Sequence, residues 1–155
     1  MSHPALLDVN VLVALFDPDH PHHEVAHDWF ADNHAEGWAT CPITENGLVR
    51  VLSNPTYGNP IRPPDLIPRL KRFCQSEHHH FWWHDVSIHD ETIFNHALIG
   101  SRHVTDIYLL GLARQHGGYL ATFDRTIPLK AVVAAQSSHL AVVASVDYQG
   151  PIPPA

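Results

Sequence analysis

Cysteine is scarce in this 155-residue chain: Cys41 and Cys74 are the only two, and they form no paired motif. That excludes a disulfide-stapled scaffold and favours a reduced, cytosolic setting. Long apolar runs are missing too. None approaches the roughly 18 residues that a membrane span needs, and no basic-then-apolar leader opens the sequence. Basic residues are outnumbered, with nine Lys and Arg against sixteen Asp and Glu and a formal charge of -7. A general nucleic-acid coat needs a basic face, so that class is excluded. An enzyme acting on nucleic acid is not, because acids gathered in a metal site leave Arg and Lys elsewhere to meet phosphates. With no internal repeat and no linker, the length makes one domain with its own core, expected over residues 1–148 with a Pro-rich tail over 149–155.

Histidine, by contrast, is abundant. Fifteen imidazoles make the charge balance sensitive to mild acid. Most read as surface residues, and His78-His79-His80 reads as a solvated turn.

The apolar run Ala5-Leu6-Leu7 ends in Asp8 and flows straight into Val11-Leu12-Val13-Ala14-Leu15-Phe16. It reads as a buried strand feeding a βα unit, with Asp8 at the carboxyl end, where open α/β sheets collect ligands. The plainer reading is that Asp8 helps cap the next helix, for which Asn10 is the expected N-cap. A second helix is expected over 22–33, where Val25, Ala26, Trp29 and Phe30 share one face, and a strand over 37–41. Pro42-Ile43-Thr44-Glu45 opens a third helix to about residue 52, capped by Thr44 or a neighbour. Residues 54–64 are dense in turn formers and read as a lid or binding loop. A helix over 65–76, a strand over 81–86 and a helix over 90–99 with Ile93, Phe94, Ala97 and Leu98 inward come next. An apolar helix over 105–114, a strand over 119–123 delivering Asp124, and a strand over 140–144 complete the pattern. Strands alternating with helices imply an α/β protein with a mostly parallel sheet covered on both faces.

Four acids stand out. Asp8 and Asp124 end apolar strands, while Glu45 and Asp106 sit in first helical turns. Singly, each has an ordinary structural explanation in turns or the helix dipole. Jointly they face one edge of the sheet. Two like charges about 4 Å apart repel by roughly 4 kcal/mol at an effective dielectric near 20, so a cluster must take up protons or hold a cation. Oxygen ligands select a hard ion such as Mg²⁺ or Mn²⁺, which suits in-line attack on a phosphodiester.

At these residues the chain resembles a known family. Leu6-Leu7-Asp8-Val9-Asn10-Val11-Leu12, Thr44-Glu45-Asn46-Gly47 with Arg50, Val104-Thr105-Asp106 with Leu112-Ala113 and His116-Gly117, and Leu120-Ala121-Thr122-Phe123-Asp124-Arg125 look like the ordered motifs of PIN-domain ribonucleases. Ser53-Asn54-Pro55 and Phe81-Trp82 extend the resemblance, which is greatest to the VapC toxins of bacterial type II toxin-antitoxin systems. It implies a three-layer α/β/α sandwich and a cytoplasmic, Mg²⁺- or Mn²⁺-dependent endoribonuclease, a homodimer inhibited by a VapB-type antitoxin. Asp8 and Asp106 would be the main metal ligands, with Asp124 and Glu45 completing the acidic pocket and orienting the attacking water. Asn10 and Thr122 would support the ligands by hydrogen bonds, and Arg125 could meet a phosphate.

Other readings compete. His23-Glu24-Val25-Ala26-His27 is a literal H-E-x-x-H, the zinc-protease pattern, on a helix where it would also suit a half-exposed face. A haloacid-dehalogenase-type phosphatase needs an acid two residues after its nucleophile, where this chain has Asn10. An RNA-processing nuclease that is not a toxin, or a non-catalytic binding module, would use the same scaffold.

Overall fold

Strand β1 (Ala5–Leu7) lies at the centre of a five-stranded sheet of order β3-β2-β1-β4-β5, every neighbour parallel. The computed structural model describes residues 3–144, so the proposed tail over 149–155 and its boundary lie outside the described residues. The other strands are β2 (Trp38–Thr40), β3 (His79–Phe81), β4 (Tyr119–Thr122) and β5 (Leu140–Val142).

Side chains alternate along β1. Ala5 and Leu7 join one apolar cluster and Leu6 the other, all fully buried. The first cluster is covered by α1 (Val9–Phe16), α2 (His23–Asn33), α3 (Pro42–Leu52) and α4 (Pro63–Cys74). The second is covered by α5 (Val104–Gln115) together with Val86, Ile93, Phe94, Ile127 and Val132. The result is the expected three-layer α/β/α arrangement. The chain winds from β1 to β2 and β3 on one side, then crosses to β4 and β5 on the other. The reversal falls between β1 and β4, and open α/β sheets bind ligands outside the carboxyl ends of the strands at such a point.

Several expectations shift. The N-cap of α1 is Asp8, whose Oδ1 accepts from the Val9 N–H at 2.7 Å, so the helix begins before Asn10. Strand β3 covers 79–81, not 81–86, because it pairs only along the three residues of β2, whose chain then turns into α3. His79 is therefore a strand residue and not part of a solvated turn. No α-helix forms over 90–99; the backbone there pairs with a later segment, Asn95 N–H to Ala131 C=O at 2.9 Å and Val133 N–H to Ile93 C=O at 2.8 Å. Ile93 and Phe94 are buried, as expected, whereas Ala97 and Leu98 are exposed.

The loop after α3 is no lid over the sheet edge. Tyr57 donates to Asp17, and Asn59 Nδ2 to Asp19 Oδ2 at 3.1 Å, so it is tied to the turn after α1. That turn stands at the far end of α1 from Asp8.

One glycine is fixed by close approach. A Cβ on Gly118 would lie 2.2 Å from the Pro4 carbonyl oxygen and 2.8 Å from the Trp82 ring. The Pro4 carbonyl cannot withdraw, since it also accepts from Tyr119 N–H where β4 starts beside β1. Gly118→Ala is expected to cost about 3 kcal/mol. Thermal melting should show Tm lowered by roughly 6 to 12 °C.

Candidate active site

Asp8 sits at the carboxyl end of β1 and is 2% exposed. Its Oδ2 accepts from Thr122 Oγ1 at 2.7 Å, across from the last residue of β4. The Thr122 hydroxyl is the hub of this edge: its oxygen also accepts from Asn10 Nδ2 at 3.3 Å and from the Asp124 N–H at 3.1 Å. Asn10 Oδ1 in turn faces the Phe123 N–H at 3.5 Å. Strand β4, α1 and the turn carrying Asp124 are thus locked to one another around Asp8.

Asp106 arrives from the other face of the sheet, and Asp124 from the turn after β4. Asp106 stands in the first turn of α5, and one ligand atom each of His103, Asp106 and Asp124 lie within 4.8 Å of one another. Asp124 is oriented by Thr126, whose N–H and hydroxyl donate to Oδ1 at 2.7 and 2.6 Å. His103 Nε2 lies 3.7 Å from Asp124 Oδ2 and 3.0 Å from Thr126 Oγ1.

Charge accumulates here. Burial pushes the Asp8 carboxyl up to about 6, with Asp106 and Asp124 adding to the rise and the hydrogen bonds from Thr122 and Val9 opposing it. Burial and then the charge of Asp124 raise Asp106 to about 6 as well. Burial also pushes Asp124 upward, but the Thr126 hydrogen bonds and the charges of His103 and Arg102 outweigh it and hold that carboxyl below its ordinary value. Fully buried Asp8 and half-buried Asp106, whose ionisation burial and neighbouring acids oppose, form with half-buried Asp124 a donor set suited to a hard divalent cation.

The penalty has a measurable sign. Above about pH 6 both folded and unfolded chains ionise Asp106, whereas between its ordinary range and about 6 the unfolded chain ionises first, so stability is lost as pH rises through that window. Neutral His79, held down to about 4 by burial and by His80, works in the opposite direction over an overlapping range. The clean observable is therefore a difference. In metal-free protein Asp106→Asn is expected to match the wild type near pH 4 and exceed it by about 1 kcal/mol at pH 7.5, solvent screening discounting the larger figure that the shift alone implies. Denaturant melts at the two pH values check it.

Glu45 is held elsewhere. It opens α3 at the same edge of the sheet, but its Oε2 accepts from Thr40 Oγ1 at 2.6 Å and lies 3.8 Å from Cys74 Sγ. Of the four acids named from sequence, the structure brings Asp8, Asp106 and Asp124 together and turns the Glu45 carboxylate toward β2 and α4. Arg125 is exposed beside Asp124, and Arg102 contributes to the same rim. His103 was missed by sequence reasoning. Its signal was a histidine three residues before Asp106, one helical turn away, lost among fourteen other histidines.

The H-E-x-x-H segment does something else. His23 and His27 do share a face of α2, ring centroids 4.3 Å apart. Yet His23 Nδ1 bonds the Ala14 carbonyl at 2.7 Å and His27 Nε2 the Leu15 carbonyl at 2.9 Å. Asp17 N–H takes the Val13 carbonyl and Arg69 the Phe16 carbonyl, at 2.9 and 3.3 Å, so all four terminal carbonyls of α1 are satisfied. The zinc-protease reading is corrected accordingly: the two histidines cap a helix.

Residues 5–133 match the model of the PIN domain, in agreement with the sheet order and the acids at its reversal point, and they place the chain in the class of PIN-domain proteins. It is 46% identical over 140 residues to Ribonuclease VapC44 of Mycobacterium tuberculosis, covering 90% of this chain and 99% of that protein. Ribonuclease VapC39 from the same organism is 41% identical over 130 residues, covering 79% and 90% of the two chains, and Ribonuclease VapC38 is 45% identical over 121 residues, covering 77% and 84%. With those relatives, the chain belongs to the VapC family of PIN-domain ribonucleases.

Proposed function

We propose that the chain is the endoribonuclease toxin of a VapBC-type toxin-antitoxin pair, cutting RNA phosphodiester bonds with Mg²⁺ or Mn²⁺. The observation that carries this reading is the meeting of Asp8, Asp106 and Asp124 at the sheet's reversal point. Asp8 and Asp106 are the principal metal ligands, and Asp124 the third. A bound divalent ion would lower the pKa of the attacking water and neutralise charge on the phosphodiester. Thr122 and Asn10 fix the Asp8 carboxylate, and His103 with Thr126 fixes Asp124. Glu45 joins the pocket to orient the attacking water by exchanging its bond to Thr40. Arg125 and Arg102, exposed on the rim, meet the RNA backbone.

The partners follow from the same chemistry. An acidic pocket invites a cationic side chain, so a VapB-type antitoxin blocks it by inserting an Arg where metal or RNA would lie. The active unit is a homodimer in the cytoplasm. No helix among the described residues is long and apolar enough to cross a membrane.

Expression of the chain alone is expected to arrest growth and degrade RNA, with Asp106→Ala relieving both. Co-expression of a small protein encoded beside it should lift the arrest. An equally toxic Asp106→Ala variant contradicts the assignment, and RNA cleavage without growth arrest points to a processing nuclease.

A further inference from the structure

A second group of metal-binding side chains lies apart from the acid cluster. Glu45 at the start of α3, Cys74 at the end of α4 and His79 at the start of β3 each present a ligand atom within 4.8 Å of the others. All three are half-buried around the fully buried Thr40. The Thr40 hydroxyl donates to Glu45 Oε2 at 2.6 Å and is 2.8 Å from His79 Nε2, so the three polar groups are already drawn to one point.

We propose that Glu45, Cys74 and His79 form a second metal site, which takes a borderline-soft divalent ion of the zinc type rather than Mg²⁺. The donor set decides the class: thiolate plus imidazole selects Zn²⁺ over hard ions, and one carboxylate with a water completes four ligands. Bond lengths of about 2.3 Å for Zn–S and about 2.1 Å for Zn–O set two ligands of a tetrahedral site about 3.6 Å apart. Cys74 Sγ and Glu45 Oε2 stand at 3.8 Å. The thiol lies in a setting that burial and Glu45 make unfavourable for a bare thiolate, and burial keeps His79 neutral, as a ligand must be.

On binding, the Cys74 thiol gives its proton to solvent as the S–Zn bond forms. Thr40 spends its one hydroxyl proton on Glu45, so His79 carries its proton on Nε2 in the free protein. On binding, that proton leaves Nε2 and one is taken up from solvent at Nδ1, which frees the Nε2 lone pair for the ion, and Glu45 exchanges the Thr40 hydroxyl for the ion. A cleft of about 410 Å³ between α3 and α4 has Glu45 in its wall, with Asn46, Val49, Arg50, Ile67 and Leu70. Zinc there would hold Glu45 away from Asp8, Asp106 and Asp124, and this inhibitory consequence rests on the nuclease reading above.

Co²⁺ titration of the full, untagged chain tests the site, because a thiolate bound to Co²⁺ gives a charge-transfer absorption that carboxylates and imidazoles do not. The acid cluster and the surface histidines therefore cannot imitate it. One equivalent of Co²⁺ should produce the band, and Zn²⁺ should abolish it. Cys41→Ser, at the other cysteine, should keep the band. Cys74→Ser should remove it, and His79→Gln should weaken Zn²⁺ at least about tenfold, the smallest loss seen when even a supporting group is removed. Co²⁺ binding without the band in the wild-type chain overturns the site, as does a band that survives Cys74→Ser. The readout is independent of RNA cleavage, so failure of the nuclease reading leaves the site standing and failure of the site leaves that reading untouched.

Discussion

Asp8→Asn is expected to reduce RNA cleavage by roughly a hundred- to a thousandfold, the scale on which removal of a principal electrostatic stabiliser acts. The substitution removes the charge and keeps the cap, and its one structural cost is the Thr122 bond, because an amide whose oxygen stays on the Val9 N–H turns its NH2 toward the Thr122 hydroxyl. Asn has the same shape and is as good an N-cap as Asp, so the bond to the Val9 N–H at the head of α1 can persist. What disappears is the one fully buried negative charge at the reversal point, and with it one of three carboxylates for a divalent ion. Cleavage of total RNA in Mg²⁺, with circular dichroism to confirm a retained fold, is the measurement. Wild-type cleavage by Asp8→Asn would remove this carboxylate from the chemistry.

Thr122→Val is expected to have the next largest effect, and on two observables. Val matches Thr in shape, but it removes a hydroxyl that donates to Asp8 and accepts from Asn10 and from the Asp124 N–H in a fully buried position. Two buried partners and the half-buried Asp124 lose a bond at once. At roughly 1 kcal/mol for each, stability should fall by about 3 kcal/mol. Metal affinity should fall 10- to 100-fold, as is usual when a group orienting a ligand is lost. Denaturant melts and Mn²⁺ titration separate the two effects; a variant with unchanged Mn²⁺ affinity would show that Thr122 serves the fold alone.

The parts of this molecule that could be read from sequence are those with local causes. The apolar run before Asp8, the Pro42 start and Glu45 first turn of α3, and the nearly uniform apolarity of α5 each carry their own period or cap. The failures share a different cause. The 90–99 segment has a helical pattern, yet its backbone finds partners at 131 and 133, far along the chain. Strand β3 is positioned by the short length of β2, which no local signal in residues 81–86 reveals. The bonds of His23 and His27 to the end of α1, and of Glu45 to Thr40, likewise depend on how helices and strands are laid against one another. Sequence therefore located the acids and could not say which carboxylates meet.

Mn²⁺ binding followed by electron paramagnetic resonance interrogates that meeting directly. The wild-type chain should bind Mn²⁺ in one saturable class that weakens at least about tenfold in Asp8→Asn, Asp106→Asn and Asp124→Asn alike. It should be unchanged when His23 and His27 are replaced together. Equal Mn²⁺ affinity in the wild type and all three acid variants would contradict a metal centre shared by β1, α5 and β4.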